Sequence, residues 1–328
     1  MLGLFSLLGA LVVGSAVGMS DILSESDDEK PQEDENGLDA GPEHPVSEVI
    51  DPSEFLGDDP DSSAARGSIV DDIVSGAENT DILNGYEGDD LLDGNGGDDW
   101  IDGGAGNDRL FGDAGGDELH GGSGDDEIYG GDGDDEIFGE TGDDTLIGGA
   151  GDDAVVGADG DDHLSGGEGD DDLLGGAGDD ALTGGLGEDS LQGGEGDDTL
   201  TGAVIDETTG IDQDVRDFLN GGLGEDDITL GVGDIASGGE GADTFRLGGW
   251  NITDEIESGA TIMDYNAQED EIILIWDEIR DGSAEITVEP DPENPDTSQI
   301  MLNGKLVASV LNGAGLSAGQ ISLVAPES

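Results

Sequence analysis

Residues 130–156 read GGDGDDEIFGETGDDTLIGGAGDDAVV, and every nine residues this stretch supplies one aliphatic side chain and two adjacent acidic positions. With Gly103 as position one of GGAGNDRLF, the frame steps by nine in both directions. Position six is Asp81, Asp90, Asp99, Asp108, Asp117, Asp126, Asp135, Asp144, Asp153, Asp162, Asp171, Asp180, Asp189 and Asp198, fourteen consecutive hits. Position eight over the same span is Leu83, Leu92, Ile101, Leu110, Leu119, Ile128, Ile137, Leu146, Val155, Leu164, Leu173, Leu182, Leu191 and Leu200. Position one is glycine from Gly76 to Gly193, and position four is glycine except at Asn79. One more unit fits ahead of these, with Gly67, Asp72 and Val74. A fixed short period of this kind marks a stacked repeat.

The phase matters because composition alone points elsewhere. Among 328 residues, 84 are acidic and 7 basic, giving a net charge of −77, with 63 glycines and 4 % aromatics. Such a chain reads as a disordered polymer, but disorder places no demand on phase. The charge excludes nucleic acid as a partner, since phosphate binding needs a basic patch. There is no cysteine, so disulfides and thiolate metal sites are excluded. A polyanion of this strength calls for cations.

The pattern G-G-x-G-x-D-x-U-x, with U aliphatic, resembles the repeats-in-toxin (RTX) family of calcium-binding repeats. The resemblance spans residues 67–246, over half of the chain. It implies an all-β fold, a parallel β-roll in which six residues of each unit turn, three form a strand, and two units complete one coil.

Elementary geometry leads to the same place. In a short strand position eight points inward, while positions seven and nine face water. Tyr129, Phe138, His120 and His163 fall at those outer positions and need no special role. Coils stack about 4.8 Å apart through backbone hydrogen bonds. Glycines at positions one, two and four let the turn take positive φ and expose carbonyl oxygens. Between stacked turns there is then an all-oxygen cage with one Asp from each. The expected metal ligands are Asp72, the fourteen position-six aspartates named above, Asp226 and Asp243. Position-five carboxylates such as Asp125, Asp134, Asp143 and Asp152 read as solvated charge.

One buried aliphatic group per unit offsets only a small part of the entropy lost in ordering nine residues. An external ion that binds the folded form has to supply the rest. Calcium accepts six to eight oxygens in flexible geometry, whereas magnesium holds its water tightly and demands an octahedron. Zinc would want Cys or His. The expected cofactor is therefore multiple Ca²⁺, bound as the chain folds.

The period stumbles at residues 202–216. Asp217 with Leu219 resumes it one residue late, Asp226 with Ile228 keeps the shifted phase, and Asp243 in GGEGADTFR returns to the original frame. The coil is expected to continue there with a bulge and weaker or missing sites. Residues 247–328 read as a small C-terminal β cap. ATIMDY, DEIILIW, AEITVEP and QIMLNGKLVASV look like strands, the last folded at Asn303-Gly304, with Trp250, Tyr265 and Trp276 covering the open end.

Ahead of the repeats, residues 1–19 form an apolar run that suits either an uncleaved membrane anchor or an atypical signal. Residues 20–66 read as a disordered acidic linker.

No catalytic motif survives inspection. DGDDEIFGE has Ile137 where an EF-hand needs glycine, and no H-E-x-x-H or G-x-S-x-G occurs. Asp161 and Asp162 could form a glycosidase pair, but they sit among many identical neighbours. The expected function is non-enzymatic calcium binding in a secreted or cell-surface protein, or one anchored in the cell envelope. The RTX resemblance implies export by a one-step bacterial secretion machinery, with which the C-terminal LSAGQISLVAPES is compatible. The alternative is adhesion or matrix interaction, with the roll as a display surface for ice, glycans or a partner protein. A flat array of Thr or aromatics on one outer face would favour it.

Overall fold

The computed structural model describes residues 48–49, 63–204, 216–248, 259–276, 282–313 and 315–325. The apolar run 1–19, nearly all of the acidic stretch 20–66, and Trp250 lie outside them.

Among the described residues there is no α-helix, and successive strands up to Glu271–Ile275 alternate between a thirteen-stranded and a fourteen-stranded sheet. Along the repeats each strand pairs in parallel with the strand two units away. Glu136–Thr141, for example, lies between Glu118–Ser123 and Ala154–Asp159. Two nine-residue units therefore make one coil of a parallel β-roll. Position eight forms the interior, and from Val74 to Leu200 none of these side chains is more than 3 % exposed.

Two local details differ from expectation. The strands are six residues long rather than three: Thr145–Ala150 covers positions seven to nine and one to three, leaving three residues for the turn. The backbone of positions two and three finds partners in the next coil, as in Gly149 with Gly167 and Ala150 with Glu168, because main-chain polar groups inside a stack need partners. Positions two and four take positive φ, as at Gly149 (129°) and Gly151 (139°), whereas position one does not. Position one needs glycine for space instead. A Cβ on Gly148 would lie 2.3 Å from Asp153 Oδ2.

The stumble in the period is larger than a bulge. Residues that stack are 18 apart along the regular array, but Asp189 stacks on Asp217 and Asp198 on Asp226 at a separation of 28. The next steps, Asp217 to Asp234 and Asp226 to Asp243, are 17. An excursion between Thr201 and Phe218 adds the length, and the sheets pair straight across it, Ser190 with Phe218 and Thr199 with Asp227. Closing a connection ten residues longer costs little more entropy.

The C-terminal strands follow the expected pieces. Ala260–Ile262 and Glu271–Ile275 extend the two parallel sheets. Ser298–Leu302 and Lys305–Val310 form the hairpin, turning at Asn303 (φ 52°) and Gly304 (φ 80°). Ile286–Pro290 adds an antiparallel edge. Tyr265 and Trp276 are buried, and the Trp276 indole N–H donates to the Gly282 carbonyl at 2.7 Å. Ile321–Val324, within the C-terminal stretch, pairs in parallel with Glu271–Ile275.

Candidate metal centre

The turns stack in two columns. One carries Asp72, Asp90, Asp108, Asp126, Asp144, Asp162, Asp180, Asp198, Asp226 and Asp243. The other carries Asp81, Asp99, Asp117, Asp135, Asp153, Asp171 and Asp189, followed by Asp217 and Asp234. All the expected ligands fall in these columns, and every one is at most 4 % exposed. Asp217 and Asp234 complete the second column, though neither was among the expected ligands. Stepping back nine from Asp243 gives Asp234, but its position eight is Ala236, too small to stand out.

Within a column each backbone N–H donates to Oδ1 of the next aspartate. Asp126 donates to Asp144, and Asp144 to Asp162, both at 2.8 Å. This fixes the carboxylate and turns its second oxygen inward. In Asp90, Asp99, Asp108, Asp117, Asp126, Asp135, Asp144, Asp153, Asp162, Asp171, Asp180, Asp198 and Asp226 that Oδ2 is buried with no hydrogen-bond partner. At the N-terminal end the arrangement differs. Asp72 Oδ2 accepts from the Ser68 N–H and hydroxyl, and Asp81 Oδ2 from the Ala77 N–H at 2.6 Å.

The space beside the position-one glycine shows what the orphaned oxygens face. A Cβ built on Gly139 would meet Asp144 Oδ2 at 2.3 Å and the Gly157 carbonyl oxygen at 3.0 Å. Gly121 has the same surroundings in Asp126 and Gly139, and Gly148 in Asp153 and Gly166. Each cradle is thus lined by a carboxylate of its own unit and a backbone carbonyl from the next coil. Buried anionic oxygen without a donor is costly, and a hard, oxygen-seeking cation relieves that cost. Among the described residues no three His, Asp or Glu side chains gather as a metal cluster. Backbone carbonyls would therefore have to supply much of the coordination, which suits Ca²⁺.

The electrostatics agree. Burial pushes the carboxyls of Asp126, Asp135, Asp180 and Asp226 up to about 7, against the opposing effect of the backbone N–H each accepts. Asp144 and Asp153 rise to about 6 for the same reasons. Neighbouring aspartates of the column push in the same direction as burial.

Position five holds a second ladder that the sequence did not reveal. Asp125, Asp134, Asp143 and Asp152 are exposed as expected, yet their Oδ1 atoms accept backbone N–H groups from the next coil. Asp143 donates to Asp125 and Asp161 to Asp143, each at 3.1 Å. Donation here runs toward the N-terminus, opposite to position six, so each turn is gripped from both sides.

The outer faces carry stacked rings. Phe111 stacks on Tyr129 with ring centroids 5.1 Å apart, and His120 on Phe138 at 4.8 Å. A shallow groove of about 220 Å³ is lined by Ser190, Gln192, Phe218, Asn220, Ser237 and Met263 among others, none of them titratable. It offers no acid–base pair.

The family model described as RTX calcium-binding nonapeptide repeat matches four times, over residues 75–110, 111–146, 147–182 and 174–203. No curated protein matches the chain. The solution structure of the AlgE6R3 subunit from the Azotobacter vinelandii mannuronan C5-epimerase aligns at 26 % identity over 48 % of this chain and 79 % of that one, with a TM-score of 0.25. The fold assignment rests on strand register and not on that likeness. Residues 75–203, with their period, stacked turns and oxygen-lined cradles, are a tandem array of RTX calcium-binding nonapeptide repeats.

Proposed function

We propose that this chain is a non-enzymatic protein, secreted or held at the cell surface, which binds Ca²⁺ through its repeats and folds the central array as it does so. The carrying observation is the row of buried Oδ2 atoms without partners, in the nine-residue steps from Asp90 to Asp180 and again at Asp198 and Asp226. In each cradle the position-six carboxylate and the facing glycine carbonyl would hold the ion, with Asp72 and Asp243 as the outermost expected ligands of their column. Calcium supplies positive charge and many flexible oxygen bonds. The chain supplies the ladder that holds each carboxylate in place.

The same physics supports the proposed location. A fold that waits for Ca²⁺ stays open where the ion is scarce and closes where it is plentiful. That suits export of a chain whose central array is still unfolded by a one-step bacterial secretion machinery, with residues 316–328 as its signal. Residues 1–19, if retained, would tie the protein to the envelope. Two measurements test this reading. Calorimetric titration should find many Ca²⁺ per chain, and fractionation should place the native protein in medium or envelope. A chain that binds no Ca²⁺, or a protein confined to the cytosol, would refute it.

The display reading draws on one feature. Ser165, Thr183, Thr201 and Thr229 lie in register at position nine on four neighbouring strands. If this row is a contact surface, Thr201→Lys should abolish binding to a glycan or matrix panel that the unmodified protein recognises. Equal binding by both would remove the idea.

A further inference from the structure

Along the thirteen-stranded sheet, position one reads Gly94, Gly112, Gly130, Gly148, Gly166, Gly184 and Gly202, and then changes character. The next strands place Leu230, Leu247 and Leu274 there, paired in register with one another. All three are 0 % exposed, as are Ile228, Phe245 and Ile272 at position eight of the same strands. The interior thus grows from one apolar side chain per strand to two. A Cβ at position one occupies the space that is an oxygen-lined cradle elsewhere, so the leucines replace the cradle with hydrocarbon.

The carboxylates change with it. Asp234 Oδ2 accepts the Gly231 N–H at 2.6 Å, and Asp270 Oδ2 the Asn266 N–H at 2.6 Å. Asp264 accepts from Gly238 N–H, Gly239 N–H and the Ser237 hydroxyl. At Asp234, Asp264 and Asp270 protein donors stand where the central cradles leave Oδ2 bare, and Asp226 is the last of the bare ones. Ile300, Leu302, Val307 and Val310, all 0 % exposed, pack into the same cluster.

We infer that the coils from Ile235 to Val324 form a calcium-independent end of the roll, which stays folded when the ion is removed and keeps an ordered strand edge for the array to rebuild on. Two apolar groups per strand and donor-satisfied carboxylates supply there what ions supply in the centre. This rests on the calcium-coupled reading of the central array.

Hydrogen–deuterium exchange of the full chain, in chelator and in Ca²⁺, tests it. In chelator, peptides covering 235–247, 271–276 and 298–310 should keep their protection, while those covering 100–200 lose it. Leu247→Gly, which restores the repeat pattern at position one, should lose the chelator-state protection at 235–247. Loss of protection at both ends in the unmodified chain, or unchanged protection in Leu247→Gly, overturns the inference and leaves the calcium reading standing. Protection throughout the chain in chelator would overturn the calcium reading itself.

Discussion

The backbone N–H of Asp126 donates to Oδ1 of Asp144 at 2.8 Å, and this bond leaves Asp144 Oδ2 buried beside Gly139 without a partner. One carboxylate therefore has two separable jobs. Oδ1 ties one coil to the next, and Oδ2 is the oxygen left for the proposed cation. Asp144→Asn preserves an acceptor for the Asp126 N–H but can present a donor where Oδ2 stood. Calorimetry should find reduced Ca²⁺ stoichiometry in Asp144→Asn with the fold retained at saturating ion. Asp144→Ala should lose about 1–3 kcal/mol more stability, since a buried N–H is left without its acceptor. Unchanged stoichiometry and affinity in both would show that Asp144 is not a ligand.

Glycine has different reasons at different positions. A Cβ on Gly139 would sit 2.3 Å from Asp144 Oδ2, so Gly139→Ala should weaken ion binding locally and lower the melting temperature in Ca²⁺. Ala158 holds φ at 90°, a conformation that costs an L-residue about 1 kcal/mol. Ala158→Gly should raise the melting temperature in Ca²⁺. The reverse order of the two variants would contradict these assignments.

Protons should partly substitute for calcium. Asp126, Asp135 and Asp180 rise from 3.8 to about 7, and Asp144 to about 6, because burial disfavours their charge. A carboxyl whose folded value is raised stabilises the folded chain fully below its unfolded value and loses that contribution as pH climbs through the folded one. In chelator, β structure should therefore be greatest near pH 4 and decline between about pH 6 and 7. At pH 6, Ca²⁺ uptake should release protons, and far fewer at pH 8. A chelator-state β signal that grows as pH rises from 4 to 8 would reverse the sign and contradict the burial argument.

The stacked rings should prove structural. Phe111 and Tyr129 pair at 5.1 Å on the outer face, and such pairs contribute about 0.5–1.5 kcal/mol beyond their area. Phe111→Ala should lower the melting temperature modestly and leave Ca²⁺ stoichiometry unchanged. A change in stoichiometry would tie the outer face to the ion sites.

Most of this architecture was legible because it repeats. Asp at position six and an aliphatic residue at position eight, each recurring fourteen times, fix the inward face, the coil and the ladder residues together. What escaped was whatever the period cannot express. Ten added residues look like one when counted in nines, so the excursion between Thr201 and Phe218 read as a bulge. Leu230 at position one was hidden by the same shift, whereas Leu247, back in the original frame, reads as one more aliphatic residue of the cap. The position-five ladder was invisible because its donors are backbone N–H groups, which every residue carries. Composition marked Asp125 and Asp143 as surface charge, and only the stacking distance reveals what they grip.

The central claim is that calcium supplies the cohesion of the coils between Asp72 and Asp198. Far-ultraviolet circular dichroism of the purified chain at pH 7.5, first in chelator and then with Ca²⁺ raised into the millimolar range, tests it most directly. A mostly disordered spectrum with a small β contribution should convert cooperatively to a β spectrum, and Mg²⁺ at the same concentration should not achieve this. A complete β spectrum in chelator, unchanged by added Ca²⁺, would contradict it.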